Sequence, residues 1–160
     1  LLISPGDAES PASMMKALGE RYVQYVNRRY GRTGTLWEGR FRSWIIEDAH
    51  YFWTCQRYIE LNPVRAGMVA HPAGYRWSSY HANAQGAEDP VVTPHDLYQG
   101  LAEDAAQRRA AYQELFLHDL DDDAIDALRH ATNGNYVLGG IEFMRRSNAA
   151  SQGGSARRGR

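Results

Sequence analysis

The stretch RYIELNPVRAGMV, residues 57–69, constrains the fold most, because it places a proline directly after a helical pattern. Proline disfavours helical backbone geometry in the residue before it, so we expect the preceding helix to end around Asn62. Tyr58 and Asn62 are four residues apart, which places both side chains on one face of that helix. The sequence therefore predicts a phenol and a carboxamide presented together near a helix end.

The Tyr58–Asn62 pair has two interpretations. A phenol can attack a phosphate that a metal ion polarises, and an asparagine oxygen can bind Mg²⁺ or Mn²⁺. Alternatively, the tyrosine covers the core and the asparagine caps a helix end, which is the commoner arrangement in proteins. Tyr51 lies on the same face and is a second candidate nucleophile. The spacing alone does not choose between these interpretations.

Further patterns predict both strands and helices. Apolar, aromatic and β-branched residues favour strands over residues 1–4 and 41–46, whereas helical spacing and capping residues favour helices over 10–30 and 47–62. Residues 84–93 have the composition of a linker. Beyond them, apolar spacing predicts helices over 96–116 and 123–132, the latter stopped at Asn133-Gly134. Trp77 and Tyr80 are expected to dock on the core.

Positive charge is concentrated in one block, although the formal net charge is only −1. Residues 21–42 contain six arginines and one acid, whereas residues 103–126 contain eight acids and two arginines. Arginines neutralise phosphates, and interleaved aromatic rings can stack on unpaired bases. We therefore expect nucleic-acid binding by the first block, in preference to a merely solvated helix face. The residues assigned to DNA binding are Arg21, Arg28, Arg29, Arg32, Trp37, Arg40, Arg42 and Arg65.

Cysteine and histidine usage narrows the chemistry. The single cysteine, Cys55, cannot form an internal disulfide, which fits a reducing cytoplasm. None of the six histidines forms an H-x-H or H-x-x-x-H pair, so the residues present do not complete a metal site. No apolar run approaches the roughly 20 residues of a membrane-spanning helix. We therefore predict a cytoplasmic protein without a membrane partner.

Three segments together resemble one family. They are residues 27–47, NRRYGRTGTLWEGRFRSWIIE, residues 58–69, YIELNPVRAGMV, and residues 75–83, YRWSSYHAN. In this order, with short gaps, they resemble the REP-associated tyrosine transposases, which are relatives of the single-tyrosine HUH transposases of bacteria. The resemblance covers residues 1–83, and residues 94–143 resemble more loosely the C-terminal extension of many members.

The resemblance implies an α+β, ferredoxin-like HUH domain followed by a small helical C-terminal extension. The corresponding boundaries are a partial transposase domain at 1–83, a linker at 84–93, the helical extension at 94–146 and a disordered basic tail at 147–160. It also implies cleavage and strand transfer of single-stranded or hairpin DNA during transposition, by a monomer or a homodimer. By match to the motif, Tyr58 is the nucleophile that becomes linked to the 5′ phosphate, and Asn62 is the third ligand of Mg²⁺ or Mn²⁺.

The family's other two metal ligands form an H-hydrophobic-H motif that runs directly into an apolar strand end like Leu1-Leu2-Ile3. We expect that histidine pair just upstream of Leu1, together with an N-terminal strand and helix of the fold. The chain as given is therefore expected to bind no metal and to be catalytically inert. The alternatives are a non-catalytic nucleic-acid-binding regulator and a decayed product without activity.

Overall fold

The computed structural model describes residues 1–39, 41–43, 45, 46 and 49–134. The chain divides into two compact units, of which the first is Leu1–Ser43 and the second contains the residues after it. Residues 135–146 of the predicted extension, and the predicted tail at 147–160, lie outside the described residues. None of the helices described is both long enough and apolar enough to cross a membrane.

The predicted α+β, ferredoxin-like fold is wrong, because the described residues form helices and contain no strand and no sheet. Residues 1–4 and 41–43 have no regular secondary structure, and Ile46 makes only an isolated bridge. Aromatic and β-branched residues favour a strand only where a neighbouring strand completes the backbone hydrogen bonds. Within the described residues no such ladder forms, so the local preference does not produce a strand.

The first unit is built on helix α1, Ser10–Tyr30, which confirms the helix predicted over residues 10–30. The Asp7 carboxylate stabilises the start of α1, because it accepts hydrogen bonds from the backbone N–H groups of Glu9 at 2.8 Å and Ser10 at 2.7 Å. Gly31 adopts a left-handed φ of 60° and ends the helix. Glycine adopts this geometry without the steric cost that a side chain brings.

Helix α2, Ala49–Arg65, runs through the Asn62-Pro63 pair, so the prediction that it ends around Asn62 is wrong. Proline removes one helical hydrogen bond, but only two residues of the helix follow Pro63, so little regular structure is lost. Gly67, with a φ of 68°, then turns the chain. The N–H of Met68 donates to the carbonyl of Pro63 at 2.9 Å, as in a Schellman-type helix end.

The remaining elements of the second unit are short. They are a 3₁₀ turn at Pro72–Gly74 and helices α3 (Tyr80–Gln85), α4 (Asp96–Gln99), α5 (Ala105–Glu114) and α6 (Asp122–Gly134). The helix predicted over 96–116 is therefore two helices. Asp104 starts the second of them, because its carboxylate accepts two backbone N–H groups of α5. The helix predicted over 123–132 is confirmed within α6.

Two clusters of buried side chains pack the second unit. The Leu128 cluster lies where α6 packs on α2 and consists of Cys55, Leu128 and Ala131, with Ile46, Tyr51 and Tyr58 against it. The Tyr112 cluster consists of Tyr80, Ala84 and Tyr112, with Trp53, Tyr98 and Phe116 among the rings against it. Helix α2 contributes to both clusters, so two of its faces are covered by other helices.

Candidate nucleic-acid interface and the surroundings of Tyr58

The C-terminal half of α1 presents a basic face that contains an aromatic ring. Arg21, Gln24, Tyr25, Arg28 and Arg29 line a shallow depression of about 370 Å³, and we call this set the α1 basic face. Residues three, four and seven positions apart lie on one side of a helix. All five are exposed, and Tyr25 is 62% exposed. The structure thus gathers three predicted DNA-binding arginines around a tyrosine that the sequence did not single out.

The chain that follows α1 folds back on the helix. The side-chain amide of Asn27 donates to the carbonyl of Gly34 at 2.9 Å. The rings of Tyr22 and Trp37 have centroids 6.1 Å apart, and the Trp37 nitrogen lies 3.5 Å from the position that a Cβ at Gly19 would take. Trp37, a predicted DNA-binding residue, is therefore held against α1 while half of its surface stays open to solvent.

The other arginines of the basic block lie beyond α1. Arg32 follows the Gly31 turn, and Arg42 is an exposed residue of the segment 41–43. Neither residue lines the depression on α1. Arg40, which the sequence also assigns to DNA binding, lies outside the described residues. Their roles in DNA binding stay predictions.

In the second unit, the ring of Tyr58 is half-buried against the Leu128 cluster. The guanidinium carbon of Arg65 lies 5.0 Å from the centre of that ring, which is a cation–π contact. Arg129 follows Leu128 on α6, and Tyr58 packs against the cluster to which Leu128 belongs. The pKa of Arg129 is raised, first by its hydrogen bond to the Asp126 carboxylate and also by its interaction with Tyr58. Tyr58 therefore has one cation beside it from each of two helices.

Asn62 lies one turn after Tyr58 on α2 and is exposed. Across the part of the chain that the structure describes, no group of three or more His, Cys, Asp or Glu side chains could hold a metal ion. Mg²⁺ requires several oxygen ligands, and one carboxamide does not supply them. The described residues thus do not fit the divalent ion that the family resemblance implies. The assignment of Asn62 as a metal ligand stays a prediction.

A different face of α2 carries a fully buried carboxylate, Glu60, which is 0% exposed. Its Oε1 accepts hydrogen bonds from Gln56 Nε2 at 2.8 Å and from Ser79 Oγ at 2.6 Å. Its Oε2 accepts a hydrogen bond from the Tyr112 hydroxyl at 2.9 Å. These donors come from α2 itself, from the residue before α3, and from α5. One carboxylate therefore fixes α2 against the Tyr112 cluster.

Burial shifts the pKa values of Glu60 and Tyr112 in this network. Desolvation raises the pKa of Glu60, and the hydrogen bonds from Ser79, Tyr112 and Gln56 oppose that shift. Desolvation, followed by the charge of Glu60, raises the pKa of Tyr112 well above its ordinary value. The Tyr112 hydroxyl therefore keeps its proton and remains a donor to Glu60.

Sequence reasoning missed Glu60, Gln56 and Arg129. Gln56 and Glu60 are four residues apart, which is a signal for a side-chain pair on a helix. A glutamate on a helix is most often exposed, however, and nothing local marks this one as buried. Arg129 lies just beyond the acidic block of residues 103–126, and no local pattern marks it as a residue that the fold brings near Tyr58.

Among the described residues, the α1 basic face in the first unit and the surroundings of Tyr58 in the second each bring more than one arginine near an aromatic ring. None of the protein-family models, curated proteins or solved structures compared with this chain matches it. Guanidinium groups neutralise the phosphates of nucleic acids, and on the α1 basic face the exposed Tyr25 ring adds a surface on which a base can stack.

Proposed function

We propose that this protein binds single-stranded DNA through the α1 basic face. The observation that carries the proposal is the exposed ring of Tyr25 among arginines in one depression. Guanidinium groups neutralise phosphates, and an open ring offers a stacking surface to an unpaired base. Bases in a duplex are already stacked on one another, so the tyrosine favours a single strand over a duplex.

Salt dependence tests the electrostatic half of this proposal. The full chain is titrated into a fluorescently labelled oligothymidylate at several salt concentrations, and binding is followed by anisotropy. For single strands, the slope of log affinity against log salt changes by about 0.7 for each phosphate contact. The double variant Arg28→Glu, Arg29→Glu should therefore bind roughly tenfold more weakly or worse, and with a shallower slope. An unchanged affinity would contradict the proposal.

Stacking and net charge need separate controls. Tyr25→Ala should lose about 1–3 kcal/mol of binding free energy for the single strand while the salt slope is unchanged. Arg76→Glu is the charge control, because Arg76 is an exposed arginine against the Trp77 ring in the second unit. A loss in Arg76→Glu as large as in the single variant Arg28→Glu, which changes the net charge equally, would show that only overall charge matters.

As a second function, we propose that Tyr58 forms a covalent link to DNA in a transposition reaction, as the family resemblance implies. The observation that favours it is the pair of arginines beside Tyr58, because a phosphodiester carries negative charge. The Tyr58 oxygen bonds to phosphorus, and the bond from phosphorus to the 3′ oxygen breaks. The phenol proton ends on the released 3′-hydroxyl, and the DNA is left as a 5′-phosphotyrosine. The implied substrate is a hairpin-bearing, REP-like single strand.

A covalent adduct tests the role of Tyr58. Because the resemblance places the histidine pair upstream of Leu1, a version that begins upstream is incubated with a hairpin-bearing strand and Mn²⁺. We expect a labelled adduct that is lost in Tyr58→Phe and retained in Tyr51→Phe. An adduct that survives Tyr58→Phe refutes the assignment. Strand binding without any adduct would instead favour the non-catalytic regulator.

Both proposals place the protein in the cytoplasm, where bacterial DNA lies. The chain has a single cysteine, Cys55, which is buried and cannot form an internal disulfide, and this fits a reducing compartment.

A further inference from the structure

Arginines from two helices that are distant in sequence meet at Tyr58. Helix α6 packs on α2 through the Leu128 cluster, Tyr58 packs against that cluster, and Arg129 is the residue after Leu128. The interaction with Tyr58 also contributes to the raised pKa of Arg129. Arg65, in the last turn of α2, lies over the Tyr58 ring with its guanidinium carbon 5.0 Å from the ring centre. Both arginines are accessible: Arg129 is 54% exposed, and Arg65 is exposed.

Arg129 has hydrogen-bonding capacity left for a ligand. Its Nη1 contacts Asp126 Oδ1 at 3.1 Å, and the Asp126 side chain is 74% exposed. A guanidinium carries five N–H donors in a planar fork, so this contact leaves donors for further oxygen atoms. Surface ion pairs of this kind are weak, so a phosphate can replace or share the aspartate contact. Two further acids, Asp122 and Asp123, lie in the first turn of α6 and oppose anion binding.

We propose that Arg129 and Arg65 bind the phosphate group on which Tyr58 acts, so that α6 completes a phosphate-binding subsite. This inference rests on the proposed role of Tyr58 and deepens it by naming the groups that hold the reacting phosphate. Guanidinium groups suit this role because their paired N–H donors match phosphate oxygens. The proposal also gives α6 a role in contacting DNA, although the acidic residues at its start would by themselves repel DNA.

The test is a titration of the full chain with inorganic phosphate at constant ionic strength. Binding is followed by the ring ¹³C signals of labelled tyrosines, and the Tyr58 signal is identified from its absence in Tyr58→Phe. We expect a saturable shift of that signal. Arg129→Gln should weaken phosphate binding roughly tenfold, because a charge-assisted contact is lost. Arg129→Lys should retain part of it, and Asp126→Asn should tighten it several-fold.

The matched control is Arg76→Gln, which removes another exposed arginine from an aromatic ring, here at 4.3 Å from the Trp77 centroid. This variant should bind phosphate as the unchanged protein does. Absence of a saturable Tyr58 shift, or equal phosphate affinity in Arg129→Gln with the remaining tyrosine signals unmoved, would overturn the inference.

Failure of the inference can be told apart from failure of the proposed function. If phosphate binding depends on Arg129 but the version that begins upstream forms no DNA adduct, the Tyr58 chemistry is refuted and the subsite is supported. An adduct that forms at an unchanged rate in Arg129→Gln supports the Tyr58 chemistry and refutes the subsite.

Discussion

Tyr112→Phe removes one buried oxygen atom and tests whether the Glu60 network stabilises the second unit. The Tyr112 hydroxyl donates to Glu60 Oε2 at 2.9 Å, and it accepts from Gln56 Nε2 at 3.1 Å and from Asn83 Nδ2 at 3.4 Å. Phenylalanine keeps the ring and therefore its packing in the Tyr112 cluster. The substitution thus removes polar contacts with little change in volume.

The contact to Glu60 dominates the expected effect. Gln56 Nε2 keeps Glu60 Oε1 at 2.8 Å and Ser79 Oγ at 3.1 Å as acceptors, so it is not left unsatisfied. The contact from Asn83 is long and contributes little. Hydrogen bonds to charged groups contribute about 1.5–3 kcal/mol, and those between neutral groups about 0.5–1.5 kcal/mol. We therefore expect Tyr112→Phe to lower the free energy of unfolding by about 2 kcal/mol when Glu60 is ionised, and by about 1 kcal/mol when it is protonated.

The size of this loss depends on pH through Glu60. Its folded-state pKa is raised above the ordinary value of 4.5. The stability that this raised pKa contributes is fully present below the pKa of Glu60 in the unfolded state. It is lost as the pH rises through the pKa of Glu60 in the folded state. Removing the Tyr112 donor raises the folded pKa of Glu60 further, because that hydrogen bond favours the ionised form. The difference between Tyr112→Phe and the unchanged protein should therefore be larger at about pH 9 than at about pH 5.

Urea unfolding at the two pH values, followed by tryptophan fluorescence, measures the effect. Tyr98→Phe is the matched control: its hydroxyl lies in the same aromatic cluster but donates to a neutral acceptor, the backbone carbonyl of Asn83, at 2.8 Å. This control should lose about 1 kcal/mol at both pH values. If Tyr112→Phe shows the same loss as Tyr98→Phe, with no change between the two pH values, the network does not act through a charged Glu60.

Three further substitutions test the surrounding structure. Glu60→Gln should flatten the pH dependence of the free energy of unfolding, since it removes the titrating carboxylate; a pH profile as steep as that of the unchanged protein would contradict this. Gly67→Ala should cost about 1 kcal/mol in urea unfolding, because φ is 68° there while no atom lies within 4 Å of the added Cβ; a neutral result would mean that the turn relaxes. Asp104→Ala should lower the melting temperature, because the carboxylate accepts two N–H groups of α5. The backbone hydrogen bonds from Gln107 and then Ala106 lower the pKa of Asp104, so its contribution is present above the unfolded pKa and lost as the pH falls through the folded value. The melting temperatures of Asp104→Ala and the unchanged protein should then converge in acid, and a constant gap would count against the cap.

Helix ends could be predicted where the backbone of a single residue decides the outcome. Gly31 ends α1 as the sequence indicates. Pro63 misled the prediction for α2, because a proline in the last turn disrupts only the little helix that remains. Here the turn at Gly67, and not the proline, ends the segment.

Features that depend on distant contacts could not be predicted in the same way. Trp77 and Tyr80 lie in one short aromatic segment, and both were expected on the core. Tyr80 is 3% exposed, which confirms its docking, whereas Trp77 is 73% exposed and its predicted docking is wrong. Which ring is buried depends on the position of Tyr112, and this residue comes from α5, much later in the chain.

The candidate sites also divide into features that the local sequence determines and features that depend on distant contacts. The concentration of positive charge assigned Arg21, Arg28 and Arg29 to one DNA-binding block, and the structure places them around one depression. The contact between Tyr58 and Arg65 lies within one helix and is also accessible to sequence reasoning. The approach of Arg129 to Tyr58 requires the packing of α6 on α2, which no local pattern reveals.

The hydrogen bond between Glu60 and Tyr112 joins positions 52 residues apart, and this distance has a consequence for synthesis of the chain. Helix α2 leaves the ribosome well before α5, so the Glu60 carboxylate stays in water until Tyr112 becomes available. Contacts between such distant positions form late and slow folding, because the intervening chain must first be ordered. A polypeptide that stops before α5 should therefore be digested rapidly by proteases, and the shortest protease-resistant form of the second unit should extend at least through Glu114.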